Sequence, residues 1–322
     1  MKINWVFGVS DFIGNPKWLY LYLKEKHPEL TINWIADNDE KAKEIKDKNP
    51  NISVYSRDSI KGKNILQNAE VYVEEQFREF YPEQLPESCV YLNLWHGVGL
   101  KNIERKAPFN GVLAKNIMSK NIKYFDNYYN KTLFLVTSED MEKHFSENIT
   151  TPKKNLVKGD YPRVTVPKII KQSDNHLKKI DLLKKANQVI HFAPTYRDFN
   201  PESTFSSLLP NLNELETLMN EKDSMMIINI HPRMRNKADY LKNFEEYKMS
   251  DRFIFIEDTD DIYEYFKFID YSIIDYSSIF YDLMASGADK FVRYIPDLVE
   301  YTKYQPNMKD YTEKTYGPII TN

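Results

Sequence analysis

The sequence predicts an α/β protein made of two successive parallel-sheet, Rossmann-like units. Three observations predict it. Short runs rich in Val, Ile, Phe and Tyr alternate with charged helical patterns from the first residues onward, which is how βαβ crossovers read. The alternation lapses once, in a Lys-rich stretch around residues 165–187, and then restarts. A length of 322 residues with 42% hydrophobic residues is enough to fill two cores of ordinary size.

Taken in order, INWVFGV (3–9) predicts a strand, Lys17 to Lys26 a helix, TINWIAD (31–37) a strand, DEKAKEIKDK (39–48) a charged helix and NISVYS (51–56) a third strand. AEVYVEE (69–75), CVYLNL (89–94) and TLFLVTS (132–138) extend the strand series, and Glu139 to Phe145 predicts a helix. PKIIKQSDNHLKKIDLLKK reads as a linker followed by a helix carrying Leu177, Ile180, Leu182 and Leu183. The second series runs QVIHFAP (188–194), helix 208–221, SMMIINIHP (224–232), helix 236–247, RFIFIE (252–257), helical IYEYFKF (262–268), YSIID (271–275), helix 277–287 and DKFVRYI (289–295). The chain therefore divides into domains 1–168 and 169–322. Ligands of such folds bind beyond the carboxyl ends of the strands, so the expected site is an interdomain cleft.

Composition narrows the function. A net charge of -3 offers no basic field for nucleic acid. The one cysteine, Cys89, excludes a disulfide framework and reads as a buried core thiol in a reducing, cytoplasmic setting. The start, MKINWVFGVSDF, does not read as a signal peptide, and no apolar run approaches the roughly 20 residues of a membrane span. Aromatic residues make up 14%, which suits core and cleft lining.

Five polar clusters share one position, immediately after a predicted strand: WHGVGLK (95–101), GDYPR (159–163), APTYRD (193–198), IHPR (230–233) and DYSS (275–278). Together they offer an imidazole base and many cations. Lys101, Arg163, Arg197 and Arg233 can form charge-assisted bonds to phosphate oxygens, with Thr195 and Asp198 flanking Arg197. Asp275 leads into Ser277 and Ser278, which open a helix whose free amides and hydroxyls make a phosphate seat. His96, in the Asn93–Lys101 stretch, heads the list of candidate catalytic residues. No P-loop and no G-x-G-x-x-G stands after a strand, which disfavours a P-loop nucleotidase and dinucleotide chemistry. No close metal-ligand spacing stands out, so neither a metal nor a cofactor is expected. His191 lies mid-strand and reads as a core or supporting residue, whereas His27, His144 and His176 read as solvated.

As an ordered set over Leu92 to Tyr301, WHG…LK, GDYPR, APTYRD, HP and DYSSIFYDL…DLVEY resembles the CDP-glycerol glycerophosphotransferase family, the TagF- and TagB-type enzymes of teichoic acid and capsule polymer synthesis. The resemblance implies a GT-B architecture of two Rossmann-like domains. It implies transfer of glycerol phosphate from CDP-glycerol to a hydroxyl of a growing polymer, with CMP released and the acceptor glycerol-phosphate-containing or glycan, in one reading lipid-linked. It implies His96 as the base, His231 near the pyrophosphate, Ser277 and Ser278 at the donor phosphate, and Arg197 as the motif Arg; beside it, Asp198 reads either as the group that orients Arg197 or as a surface N-cap. The family's usual Arg-Gly pair after the DLVEY segment is absent, so a donor contact is either lost or supplied by Arg293 or Lys303. The chain also ends at Asn322, three residues beyond Tyr316-Gly-Pro-Ile, where members usually continue, so both an excised domain and a natural short form stay open. A CDP-ribitol phosphotransferase and a GT-B glycosyltransferase using a nucleotide-sugar are the alternatives. A non-catalytic binding module is disfavoured by the presence of both His96 and His231.

Segment 101–131 carries Lys101, Arg105, Lys106, Lys115, Lys120, Lys123 and Lys131, with Leu113, Ile117, Ile122 and Phe125 near one helical face. Such a basic amphipathic helix either lies on anionic lipid at the inner face of a membrane or packs on its own domain.

Overall fold

The computed structural model describes residues 3–9, 11–76, 85–103, 106, 131–149, 151–170, 177–197, 200, 203–257, 260–305 and 311–321. Asp198, His176 and nearly all of the basic segment 101–131 lie outside the described residues. The chain forms two compact units, Met1–Lys171 and Gln172–Asn322.

In the first unit the elements run β1 (Asn4–Phe7), α1 (Gly14–Lys26), β2 (Thr31–Ala36), α2 (Asp39–Lys48), β3 (Val54–Ser56), α3 (Ile60–Gln67), β4 (Val71–Glu74), β5 (Val90–Asn93), β6 (Thr132–Val136), α4 (Glu139–Asn148), β7 (Leu156–Lys158) and α5 (Pro162–Thr165). The strands form one sheet in the order β3-β2-β1-β4-β5-β6-β7, and every pairing is parallel. Helix starts follow local chemistry. The side chains of Asn38, Ser59 and Ser138 accept the amides of Lys41, Gly62 and Met141, satisfying donors that a helix leaves open. An aromatic core of Phe7, Trp34, Tyr20 and Phe12 sits on one side of β1 and β2. Gly8 is required because a Cβ there would overlap the Tyr72 ring.

In the second unit the order is α6 (Leu177–Leu183), β8 (Gln188–Ala193), α7 (Phe205–Leu208), α8 (Leu212–Glu221), β9 (Ser224–Ile228), α9 (Pro232–Arg235), α10 (Ala238–Tyr247), β10 (Phe253–Phe255), β11 (Tyr271–Ile274), α11 (Ile279–Ser286), β12 (Phe291–Tyr294), α12 (Leu298–Tyr304), α13 (Tyr311–Lys314) and β13 (Ile319–Ile320). Its sheet runs β10-β9-β8-β11-β12-β13, again parallel throughout. Both faces are buried. Val189, Met225, Ile227 and Ile274 pack in one cluster, and Phe192, Met226, Ile228 and Phe253 in another. This is why the strands read as continuous apolar runs rather than alternating ones.

Two parallel-sheet α/β units are thus present, as the alternation predicted. Both sheets reverse their winding at one point, between β1 and β4 in the first and between β8 and β11 in the second. In open α/β sheets the carboxyl ends of strands at such a switch point are where ligands bind. Three expectations change. The helix expected over 208–221 covers only Leu212–Glu221, with a separate short helix Phe205–Leu208 before it, because Pro210 cannot continue a helix and Asn211 starts a new one by capping Glu214. The helix expected over 262–268 is two short 3₁₀ turns, Ile262–Glu264 and Phe266–Phe268. Helix α3 and strands β7 and β13 carry too few periodic residues to announce themselves, and they form through tertiary pairing.

Candidate active site

In the first unit, strand β5 delivers Asn93, Leu94, Trp95 and His96 to the carboxyl edge of the sheet. His96 is exposed. Its Nδ1 lies 3.0 Å from the Glu75 carbonyl oxygen, just beyond β4. A carbonyl can only accept, so Nδ1 carries the proton and Nε2 is the basic nitrogen. The Trp95 ring packs against the imidazole at 4.2 Å. Four consecutive carbonyls of this loop are held by side chains. The Asn15 amide donates to Leu94 at 3.4 Å and to Trp95 at 2.7 Å, Arg163 Nη1 to His96 at 3.0 Å, and the Tyr161 hydroxyl to Gly97 at 2.8 Å. Trp95 sits at φ 52 and Gly97 at φ 150. The second is a conformation glycine adopts without cost; the first is strained for tryptophan. Gly99 answers a different need, since a Cβ there would overlap the His144 ring. His144 is therefore a packing residue, half-buried against the loop, and not the solvated side chain its charged neighbours suggest.

In the second unit, the ends of β9, β8 and β11 lie side by side. His231, after β9, is exposed and caps the short helix α9: its Nδ1 accepts the Arg233 amide at 3.2 Å. An amide can only donate, so here Nδ1 is bare and the neutral ring carries its proton on Nε2. Tyr196, after β8, stacks on the His231 ring at 5.3 Å, and the Arg233 guanidinium lies over the Tyr196 ring at 5.8 Å. The switch point itself is closed by a polar clamp. Thr195 donates its amide to Asp275 at 2.9 Å and its hydroxyl at 2.7 Å. Arg197 Nη1 reaches Asp275 at 2.5 Å, and its Nε and Nη2 grip Asp297 at 2.7 and 3.1 Å. Its guanidinium lies over the rings of Tyr276 and Tyr301, which stack on each other at 3.7 Å. Burial works against the Arg197 charge, but the two carboxylates more than offset it, and its pKa is raised. Burial, reinforced by Asp297, also raises the Tyr276 phenol. Beside the clamp, Ser277 and Ser278 are half-buried at the start of α11, and Ser278 makes no capping bond with its side chain.

Within each unit the predicted residues are placed unevenly. His96, His231, Arg233, Ser277 and Ser278 stand at strand ends with surface access, and Lys101 is half-buried beyond the His96 loop. Arg163, Arg197 and Asp275 are buried at 6%, 3% and 2% exposure. Expected as a phosphate ligand, Arg163 donates to the His96 carbonyl; Arg197, likewise expected at phosphate, and Thr195, expected beside it, are bound to carboxylates. Asp198, expected to orient Arg197, lies outside the described residues, and Asp275 and Asp297 do that work. Nor is Arg293 the substitute for the missing Arg-Gly pair. It is buried and donates to the carbonyls of Thr312, Thr315 and Gly317, fastening the α13–β13 segment. Asn15, Glu75 and Tyr161 in the first unit, and Tyr196 in the second, join these residues without having been singled out. Tyr161 and Tyr196 stand inside the motifs quoted above, whereas Asn15 and Glu75 carry no local signal. Among the described residues no cluster of His, Cys, Asp and Glu could hold a metal ion, and no helix is long and apolar enough to cross a membrane.

A family model described as CDP-glycerol:poly(glycerophosphate) glycerophosphotransferase matches residues 5–322. A teichoic acid poly(glycerol phosphate) polymerase of Bacillus subtilis is 25% identical over 98% of this chain and 41% of its own length. A teichoic acid poly(ribitol-phosphate) polymerase of Bacillus spizizenii is 23% identical over 77% of this chain and 39% of its own length. The chain thus spans about two fifths of these relatives. Among solved structures, a variant of the wall teichoic acid polymerase TagF aligns with a TM-score of 0.76 at 18% identity, covering 100% of this chain and 77% of that one. That likeness establishes a shared fold.

Proposed function

The chain belongs to the CDP-glycerol:poly(glycerophosphate) glycerophosphotransferase family, and from that premise we propose that it transfers glycerol phosphate from CDP-glycerol to a hydroxyl of a growing teichoic-acid-like or capsule polymer and releases CMP. The observation that carries this reading is the pair of histidines with opposite proton placement. His96 Nδ1–H is tied to the Glu75 carbonyl, and His231 Nδ1 is tied to the Arg233 amide. One ring is thereby set to take a proton at Nε2 and the other to give a hydrogen bond from Nε2.

In the proposed reaction His96 Nε2 takes the proton of the acceptor hydroxyl as its oxygen attacks the β-phosphorus. The new O–P bond forms, the bond from that phosphorus to the bridging oxygen breaks, and the electron pair leaves with CMP. A positioned base of this kind contributes roughly 10²–10⁴ in rate. Charge gathering on the leaving phosphate meets His231 Nε2–H, Arg233 and the amides and hydroxyls at the α11 start, where Ser277 and Ser278 stand. Arg197 acts at one remove, by holding Asp275 and hence the loop that carries Thr195 and Tyr196. No metal is assigned to the step. We further assign a lipid-linked acceptor at the inner membrane face and a lipid contact to segment 101–131; flotation of a Lys115/Lys120/Lys123 charge-reversal variant on anionic liposomes tests that part.

The decisive experiment is a donor screen with CDP-glycerol, CDP-ribitol and UDP-sugars on a glycerol-phosphate primer, with and without a chelator, reading released nucleotide. CMP from CDP-glycerol at an unchanged rate in chelator is expected, with His96→Gln reduced at least 10²-fold. Preference for CDP-ribitol would move the chain to the other polyol, and UDP release from a UDP-sugar would make it a glycosyltransferase.

A further inference from the structure

We propose that Asn15 is the positioning residue of the His96 loop: a single buried amide that holds Trp95 in its left-handed conformation and so aims the imidazole that follows. This rests on the reading of His96 as the base. Asn15 is 0% exposed and sits in the first turn of α1, after β1. Its Nδ2 donates to the Trp95 carbonyl at 2.7 Å and to the Leu94 carbonyl at 3.4 Å, while its Oδ1 accepts the Arg163 amide at 3.2 Å. It is thus in contact both with the loop and with the turn that supplies Tyr161 and Arg163, the two side chains that hold the next two carbonyls.

The strain explains why such a brace is needed. A non-glycine residue in the left-handed region costs of order 1–3 kcal/mol and persists only where its surroundings over-determine it. Trp95 is held at three points. Its amide donates to Asn93 Oδ1 at 2.8 Å, its carbonyl accepts from Asn15, and its ring is buried against Phe134 and Phe145 at 5.6 and 5.8 Å. Asn93 is in turn fixed by Glu74 at 3.2 Å. Without the Asn15 bond, rotation of the Trp95 peptide toward an ordinary backbone conformation swings His96 away from the Glu75 carbonyl. The ring then loses both its direction and the partner that keeps the proton on Nδ1. Only an amide serves at position 15, because the site needs donors on one side and an acceptor on the other.

The test is Asn15→Asp, which keeps shape and acceptor but removes the donors. Two quantities are read on protein whose fold is checked by circular dichroism: the tautomer of His96 by ¹⁵N NMR of labelled histidine, and kcat and KM for CMP release from CDP-glycerol. The expected result is loss of the Nδ1–H form at His96 with His231 unchanged, and a fall in kcat of about 10² with KM for CDP-glycerol within about threefold, the scale of a catalytic group misplaced by about an ångström. An unchanged His96 tautomer with kcat within twofold of wild type overturns the proposal. Should Asn15→Asp not fold, Tyr161→Phe, which removes one hydroxyl from the same brace, decides: a lower kcat at constant KM supports it, and wild-type kinetics overturn it. If wild-type protein releases no CMP from CDP-glycerol, the donor assignment fails on its own, and the NMR comparison still decides the role of Asn15.

Discussion

His96 and His231 differ in one respect that matters more than their shared place at strand ends. The backbone partner of Nδ1 is a carbonyl for the first and an amide for the second. The same side chain therefore presents a lone pair in one place and a proton in the other. A third histidine does neither. His191 is wholly buried in β8, paired in register with buried Ser272, and neither ring nitrogen has a hydrogen-bond partner among the described residues. Burial pushes its pKa down from the usual 6.5 to about 3. The unfolded chain therefore takes up a proton below about pH 6.5 that the folded chain refuses until about pH 3. Stability is lost as pH falls through that window, at up to about 1.4 kcal/mol per pH unit from this residue. His191→Leu should remove that slope. Urea unfolding of both proteins at pH 7 and pH 5 measures it: the stability of wild type minus that of His191→Leu falls from pH 7 to pH 5 if the acid loss belongs to His191, and stays constant if it does not.

At the scale of elements, the clamp at the second switch point joins the β8 loop, the end of β11 and the start of α12. Asp275 receives Thr195 and Arg197, Asp297 receives Arg197 and Tyr276, and Tyr301 of α12 stacks on Tyr276. The DLVEY motif is thus a structural partner of the APTYRD and DYSS motifs. Tyr311 adds a bond from α13 to the Asp275 carbonyl. Removing the cation leaves two carboxylates without the charge they share, one of them, Asp275, buried. Arg197→Ala should destabilise the second unit by about 3–5 kcal/mol. Arg197→Lys should recover only part of this, because a point charge cannot replace the planar fork that grips both carboxylates. Urea midpoints for the three proteins give the ranking, and equal midpoints would mean that the clamp carries no stability.

At the scale of the whole molecule, each unit owns a sheet and a core. Val6, Tyr72 and Phe134 belong to one cluster, and the residues on both faces of β8–β11 belong to others. A unit with its own core can fold alone. The fragment 172–322 should therefore unfold cooperatively by itself and bind CMP, since His231, Arg233, Ser277 and Ser278 all lie within it. Circular dichroism and titration calorimetry on the fragment test this, and a folded fragment that ignores CMP would place the nucleotide elsewhere.

Much of this was legible in the sequence because it is local. Periods of apolar residues report strands and helices over a few positions, so the two parallel-sheet units and the polar clusters after their strands could be read directly. The chemistry of each cluster was not local. Arg163 and Arg197 looked like the other cations because sequence cannot tell a guanidinium in water from one committed to a carbonyl or a carboxylate. That distinction depends on partners far along the chain, with Asn15 and Arg163 148 residues apart and Arg197 and Asp297 100 apart. The sequence by itself determined the α/β class, the division into two units and the identity of the histidines and serines at the strand ends. Only the tertiary structure decided which cations face outward, which are buried as ties, and on which nitrogen each histidine carries its proton, because burial and hydrogen-bond partners exist only once the distant segments have met.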